Sequence, residues 1–114
     1  MKNLCVIRDV YKALGNFEAE FHKNHDLCLN EAMIICSLKE EKLSSGQIAE
    51  LLNLTCSNTS KLLRSVEEKG LVDRDLGEKD KRQMYFSLSQ KGIKKLRSLE
   101  NSKLDLPEIL AKLI

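Results

Sequence analysis

Several groups of side chains are of types that do chemistry. Cys5, Cys28, Cys36 and Cys56 supply thiols, but no two form a C-x-x-C pair, so a closed zinc site is not signalled. His22, His25 and Cys28 recur at spacings of three, which suits metal ligation. Only two His exist and no second cluster supports them, so a solvated loop is the expected reading and no metal is assigned. Ser57, Asn58, Ser60, Lys61 and Arg64 crowd hydroxyls, an amide and two cations into one short run. Such groups bond phosphates and base edges, although an ordinary solvated face has the same composition. Glu78-Lys79-Asp80-Lys81-Arg82 is an unbroken charged run. No nucleophile–base motif, phosphate loop or carboxylate pair is present, so neither an enzyme nor a cofactor is expected.

The elements that must position these groups are bounded by composition. The chain has 114 residues, 42% hydrophobic and 32% charged, which suits one globular domain over 1–114 and argues against disorder. Nineteen Lys and Arg against 17 Asp and Glu leave a net charge of +2, which excludes a polybasic protein but not a local basic patch. One Pro and five Gly in a Leu-, Lys- and Glu-rich chain favour helices. No apolar run approaches a membrane span of ~18 residues. Arg8 and Asp9 interrupt the amino-terminal apolar stretch, so no signal peptide is read and a cytoplasmic protein with reduced thiols is expected.

Ile7, Val10, Leu14, Phe17 and Phe21 follow spacings of 3, 4, 3 and 4, which predicts a first helix over 4–23 with one apolar face. Asn30 is expected to cap a second helix, about 30–40, apolar nearly all round and therefore central, with Cys36 in the core. Leu43 is read as a short extended piece. Ser44 with Gln47 is a capping-box pattern opening a third helix to Asn53. Thr55 caps a fourth helix to Lys69, and Gly70 stops it. Met84, Phe86 and Leu88 alternate with Tyr85 and Ser87, so Leu71–Leu76 and Gln83–Ser89 form a hairpin. Ser89 caps a fifth helix to about Asn101, and an apolar tail follows.

Helices three and four, joined near Leu54, make a helix-turn-helix, and the hairpin adds a wing. With Ser57 at 0° and ~100° per residue, Ser60, Lys61 and Arg64 fall within about 60° of it. Thr59, Leu62, Leu63 and Val66 fall on the far side. One face therefore packs and the other is polar, with Asn58 flanking. Glu67 and Glu68 would repel phosphate, but they lie late in the helix. A long cation at a wing tip, such as Lys81 or Arg82, suits the narrow, electronegative minor groove.

Leu43 to Gly92 resembles the MarR (multiple antibiotic resistance regulator) family. The segments LSSGQIAELLNL, TCSNTSKLLRSVEEKGLVDR, DKRQMYFSLS and LSQKG match its third helix, recognition helix, wing and following cap in turn. LCLNEAMIICSL, residues 27–38, fits its second helix. The resemblance implies a mainly α winged helix-turn-helix with one small β-hairpin wing and terminal dimerisation helices, 1–26 and 90–114, around a DNA-binding part, 30–89. It implies a homodimeric repressor that binds palindromic double-stranded DNA through recognition helix 55–69 and wing 71–89. Arg82 would then be the wing Arg, with Asp80 orienting the wing. Ser57, Asn58, Ser60 and Lys61 occupy recognition positions, and the face geometry adds Arg64. Ser44, Ser45 and Thr55 stand at helix amino termini able to hold phosphate. Arg74 is expected either at the DNA backbone or paired with a wing carboxylate.

Family members usually have longer terminal helices than the 22 residues after Gly92 allow here. The expected dimer surfaces are Ile7, Val10, Leu14 and Phe17 with Leu106, Ile109, Leu110 and Leu113. The resemblance implies that a small-molecule effector, often an anionic aromatic ligand in this family, is possible, but no residue identifies one. One branch senses hydroperoxides through a first-helix Cys, which makes Cys5 the candidate redox sensor against the plainer reading of a small buried hydrophobe. Oxidation of Cys56, at the front of the recognition helix, would also obstruct DNA. From 44 to 82, seven Lys and Arg balance seven Asp and Glu. That neutrality keeps open a winged-helix protein-interaction module without sequence-specific DNA binding. A redox- or metal-sensing regulator is the other alternative.

Overall fold

The computed structural model describes residues 2–77, 83–102 and 107–112. Its contacts divide the chain into two compact units, Met1–Leu29 with Ser102–Ile114, and Asn30–Asn101.

The first unit contains α1 (Lys2–His25) and a short carboxy-terminal helix, Glu108–Ala111, which lies against it. His22, Lys23 and His25 in the last turn of α1 complement its dipole. Phe21 sits between Phe17 and His25, with ring centroids 6.0 and 4.7 Å away, as residues four apart on a helix should. Leu4, Val6, Ile7, Tyr11 and Leu14 are exposed, and an apolar groove runs along Val6, Ile7, Val10, Tyr11 and Leu14.

The second unit contains α2 (Leu29–Ser37), β1 (Leu43–Ser44), α3 (Ser45–Leu52), α4 (Cys56–Glu68), β2 (Val72–Leu76), β3 (Met84–Leu88) and α5 (Gln90–Asn101). Ile34, Ile35, Ile48, Leu63 and Val66 are its fully buried centre. The strands form one antiparallel sheet in the order β1-β3-β2. Leu43 pairs with Phe86, so the extended piece expected at Leu43 is a third strand of the wing sheet. On the other edge Val72 pairs with Leu88 and Leu76 with Met84. A bond from Gly77 N to Gln83 O (2.8 Å) closes the described part of the hairpin.

Three expectations need correction. The second helix starts at Leu29, so Asn30 lies in its first turn rather than capping it. That helix is not apolar all round in effect, because Met33 and Cys36 are exposed while Glu31 is buried. Cys36 is therefore not a core residue. An apolar sequence does not choose which face is covered; the neighbouring elements do.

Candidate nucleic-acid interface

The two helices of the helix-turn-helix are set by local capping. Ser44 Oγ accepts from Gln47 N (3.2 Å) while Gln47 Oε1 accepts from Ser44 N (2.8 Å), a complete capping box. Asn53 ends α3 in the left-handed region (φ 54°), and Leu54 N reaches back to Ala49 O (2.8 Å). Thr55 Oγ1 then accepts from Asn58 N (3.1 Å) to open α4. At the far end Gly70 takes φ 77°, and Leu71 N bonds Val66 O (3.0 Å). Both helices thus stop by the same device, a left-handed residue followed by a bond spanning five residues.

This frame fixes which face of α4 is presented. Thr59, Leu63 and Val66 are buried and Leu62 is half-buried. The Thr59 hydroxyl donates to Thr55 O (2.8 Å), so its polarity is satisfied inside the helix. Ser57, Asn58, Ser60, Lys61 and Arg64 are all exposed, together with Thr55 and Cys56. The structure therefore gathers the amino-terminal candidates onto one solvent face. Ser45 is exposed, whereas Ser44 is buried with its hydroxyl committed to the cap.

Arg74, on β2, is tied down. Its Nε donates to both Glu67 carboxylate oxygens at 2.8 Å, and its guanidinium lies 5.5 Å from the Phe86 ring centroid. The hydrogen bond to Glu67, then its charge, raises the Arg74 pKa above the usual value. Among the described residues its partner is thus a helix carboxylate. Asp80, Lys81 and Arg82 lie outside the described residues.

Among the first-unit candidates, Cys5, Ile7 and Leu14 are exposed, and Val10 and Phe17 are half-buried. Ile109 and Leu110 belong to the short carboxy-terminal helix. Leu106 and Leu113 lie outside the described residues, as do the side chains of Ile109 and Leu110. Among the described residues, no three His, Cys, Asp or Glu side chains converge as a metal site. Nor is any described helix long and apolar enough to cross a membrane.

Sequence reasoning missed Glu31. It is buried on α2, and its carboxylate accepts from Ser65 Oγ (2.8 Å) on α4 and from Lys69 Nζ (3.0 and 3.1 Å) at the C-cap of that helix. The available signal was a single charged residue within the otherwise uncharged run 27–38.

The family described as winged helix DNA-binding domain matches residues 27–92. The chain belongs to that family. Its winged helix is of the MarR type. The HTH-type transcriptional regulator SarZ of Staphylococcus haemolyticus is 31% identical over 72 residues, covering 62% of this winged-helix chain and 49% of SarZ. The chain thus spans about half the length of the curated relative it matches. Among solved structures, the transcriptional regulator BldR of Sulfolobus solfataricus superposes with a TM-score of 0.76 at 25% identity, covering 98% of this chain and 87% of BldR. MepR of S. aureus, in a structure with DNA, gives a TM-score of 0.66 at 21% identity, covering 94% of this chain and 83% of MepR.

Proposed function

We propose that this winged-helix chain is a transcription regulator of the MarR type that acts as a homodimer and represses by occupying palindromic double-stranded DNA. The observation that carries the reading is the polarity of α4. A front of short hydroxyls, an amide and two cations is exposed directly above a fully buried Thr59, Leu63 and Val66. Small side chains such as Ser57 and Ser60 let a helix approach the groove closely, while Asn58, Lys61 and Arg64 reach bases or phosphates. Ser45 and Thr55 stand at helix amino termini, where unpaired backbone N–H groups attract phosphate. Lys81 and Arg82 take the minor groove, with Asp80 orienting the wing. MepR, similar in fold, has been solved with DNA, which supports the same class of partner here.

Dimerisation would use the exposed apolar face of α1, through Ile7, Val10, Leu14 and Phe17, and the carboxy-terminal Leu106, Ile109, Leu110 and Leu113. Two recognition helices then enter successive major grooves of a palindrome. A small-molecule effector or an oxidant acting at Cys5 would lower affinity by favouring a different spacing of the two reading heads.

The test is selection of genomic DNA fragments by the purified, reduced protein, with Lys61→Ala/Arg82→Ala in parallel. Recovery of a few palindromic sites by the native chain, and their loss with the double variant, is expected. Recovery of no fragment would overturn the reading and favour a protein-interaction module, the alternative suggested by the neutral charge of 44–82.

A further inference from the structure

The buried face of α4 packs through Leu63, Val66 and Thr59, whose hydroxyl is satisfied within the helix, and apolar burial has no preferred direction. It sets which face of α4 turns inward, but fixes the rotation of the helix about its own axis only to within the width of the buried stripe. That rotation matters for reading DNA. A helix with its side chains is ~10–12 Å across, so a roll of about 20° swings a side-chain tip by about 2 Å. Hydrogen bonds to base edges tolerate only about half an ångström.

Two charged contacts flank the buried face. On the ~100° wheel with Ser57 at 0°, Ser65 and Lys69 lie near 80° and 120°, and Glu67 near 280°. The DNA-facing residues centre close to 350° on that wheel. The two contacts therefore sit on opposite shoulders of α4. On one shoulder Glu31 of α2 accepts from Ser65 Oγ and Lys69 Nζ, with the Glu31 side chain 5% exposed. On the other, Arg74 of β2 holds Glu67 through two bonds of 2.8 Å and lies over Phe86 of β3. Charge-assisted bonds are directional, and those of Glu31 are shielded from water. A buried ion pair adds little net stability but can select one geometry among several.

We infer that Glu31 and Arg74 are positioning residues: from opposite shoulders they fix the roll of α4, and with it the ability of the polar face to tell one DNA sequence from another. Arg74 also ties α4 to the strand pair that carries the wing, so helix and wing form one reading head. The inference rests on the proposed function, since it concerns how that face discriminates.

The experiment compares affinities for two duplexes at one salt concentration: the duplex recovered by selection and a randomised duplex of equal length. Glu31→Gln keeps the side-chain shape but removes the charge. The ratio of the two affinities is expected to fall about tenfold, with randomised-duplex affinity within about twofold of the native chain. A purely structural role would remove folded protein and weaken both duplexes equally, leaving the ratio unchanged; that result overturns the inference. Should Glu31→Gln fail to fold, Ser65→Ala decides, because it removes only one hydroxyl. A ratio lowered about threefold supports the inference and an unchanged ratio overturns it. A native chain that prefers neither duplex would instead overturn the proposed function, and this inference with it.

Discussion

Replacing Gly92 by Ala tests how α5 is seated on the base of the wing. Gly92 lies in the first turn of α5, and its N–H donates to the Ser89 hydroxyl (2.9 Å). A Cβ at this position would lie 2.0 Å from Leu71 O, 3.0 Å from Leu71 C and 3.3 Å from Leu88 Cδ2. Ordinary contact begins at 3.4 Å, so about 1.4 Å of separation must be found against backbone, which yields poorly. Such a shift also breaks the bond from Ser89 N to Leu71 O (3.0 Å). Overpacking costs about 1–3 kcal/mol and the lost bond about 1 kcal/mol. Better helix propensity returns about 1 kcal/mol. The net loss is about 1–3 kcal/mol, or roughly 5–15 °C in Tm for a chain of this size. Thermal unfolding followed by far-UV circular dichroism reads it directly. Gly15→Ala is the control, because nothing lies within 4 Å of its added Cβ and it sits inside α1. It should stabilise by about 0.5–1 kcal/mol. A Gly92→Ala protein melting at or above the native chain would refute the steric argument.

Other outcomes follow from the same contacts. Thr55→Ala removes the side chain that caps α4 and should cost about 1 kcal/mol in urea unfolding, with Thr55→Asp recovering most of it. Lys61→Ala should reduce the slope of log affinity against log salt by about 0.9, the contribution of one phosphate contact; an unaltered slope would remove Lys61 from the interface. Lys39 is held above its usual value by its hydrogen bond to Glu100 and then by that carboxylate's charge. A raised lysine pKa contributes fully below the unfolded value and is lost as pH rises through the folded one. The Tm difference between the native chain and Lys39→Met should therefore stay constant from about pH 6 to pH 9. It should shrink only above the ordinary lysine value of 10.5.

Elements whose signals lie within a few residues of one another are legible in residue order. Ser44 with Gln47, Thr55, Asn53 and Gly70 mark helix ends because each cap bonds backbone three to five residues away. The polar front of α4 was legible for the same reason, since helical periodicity alone separates Ser57, Ser60, Lys61 and Arg64 from Thr59, Leu63 and Val66. The alternation around Phe86 announced a hairpin, and TCSNTSKLLRSVEEKGLVDR with LSQKG announced its family. Contacts between distant residues depend on how the elements pack. Glu31 meets Ser65 and Lys69 across 34 and 38 residues, and no local pattern encodes that meeting. Arg74 was open between DNA and a wing carboxylate until the packing of β2 brought it to Glu67. Cys36 read as core by its place on an apolar helix, yet it is exposed, because burial depends on which neighbour arrives. The glycine of LSQKG likewise acquires its reason only when Leu71 O comes within 2.0 Å of where a Cβ would stand. Local bonds between near neighbours are written in residue order, whereas the partner of a buried charge and the space beside a glycine exist only after the chain has folded.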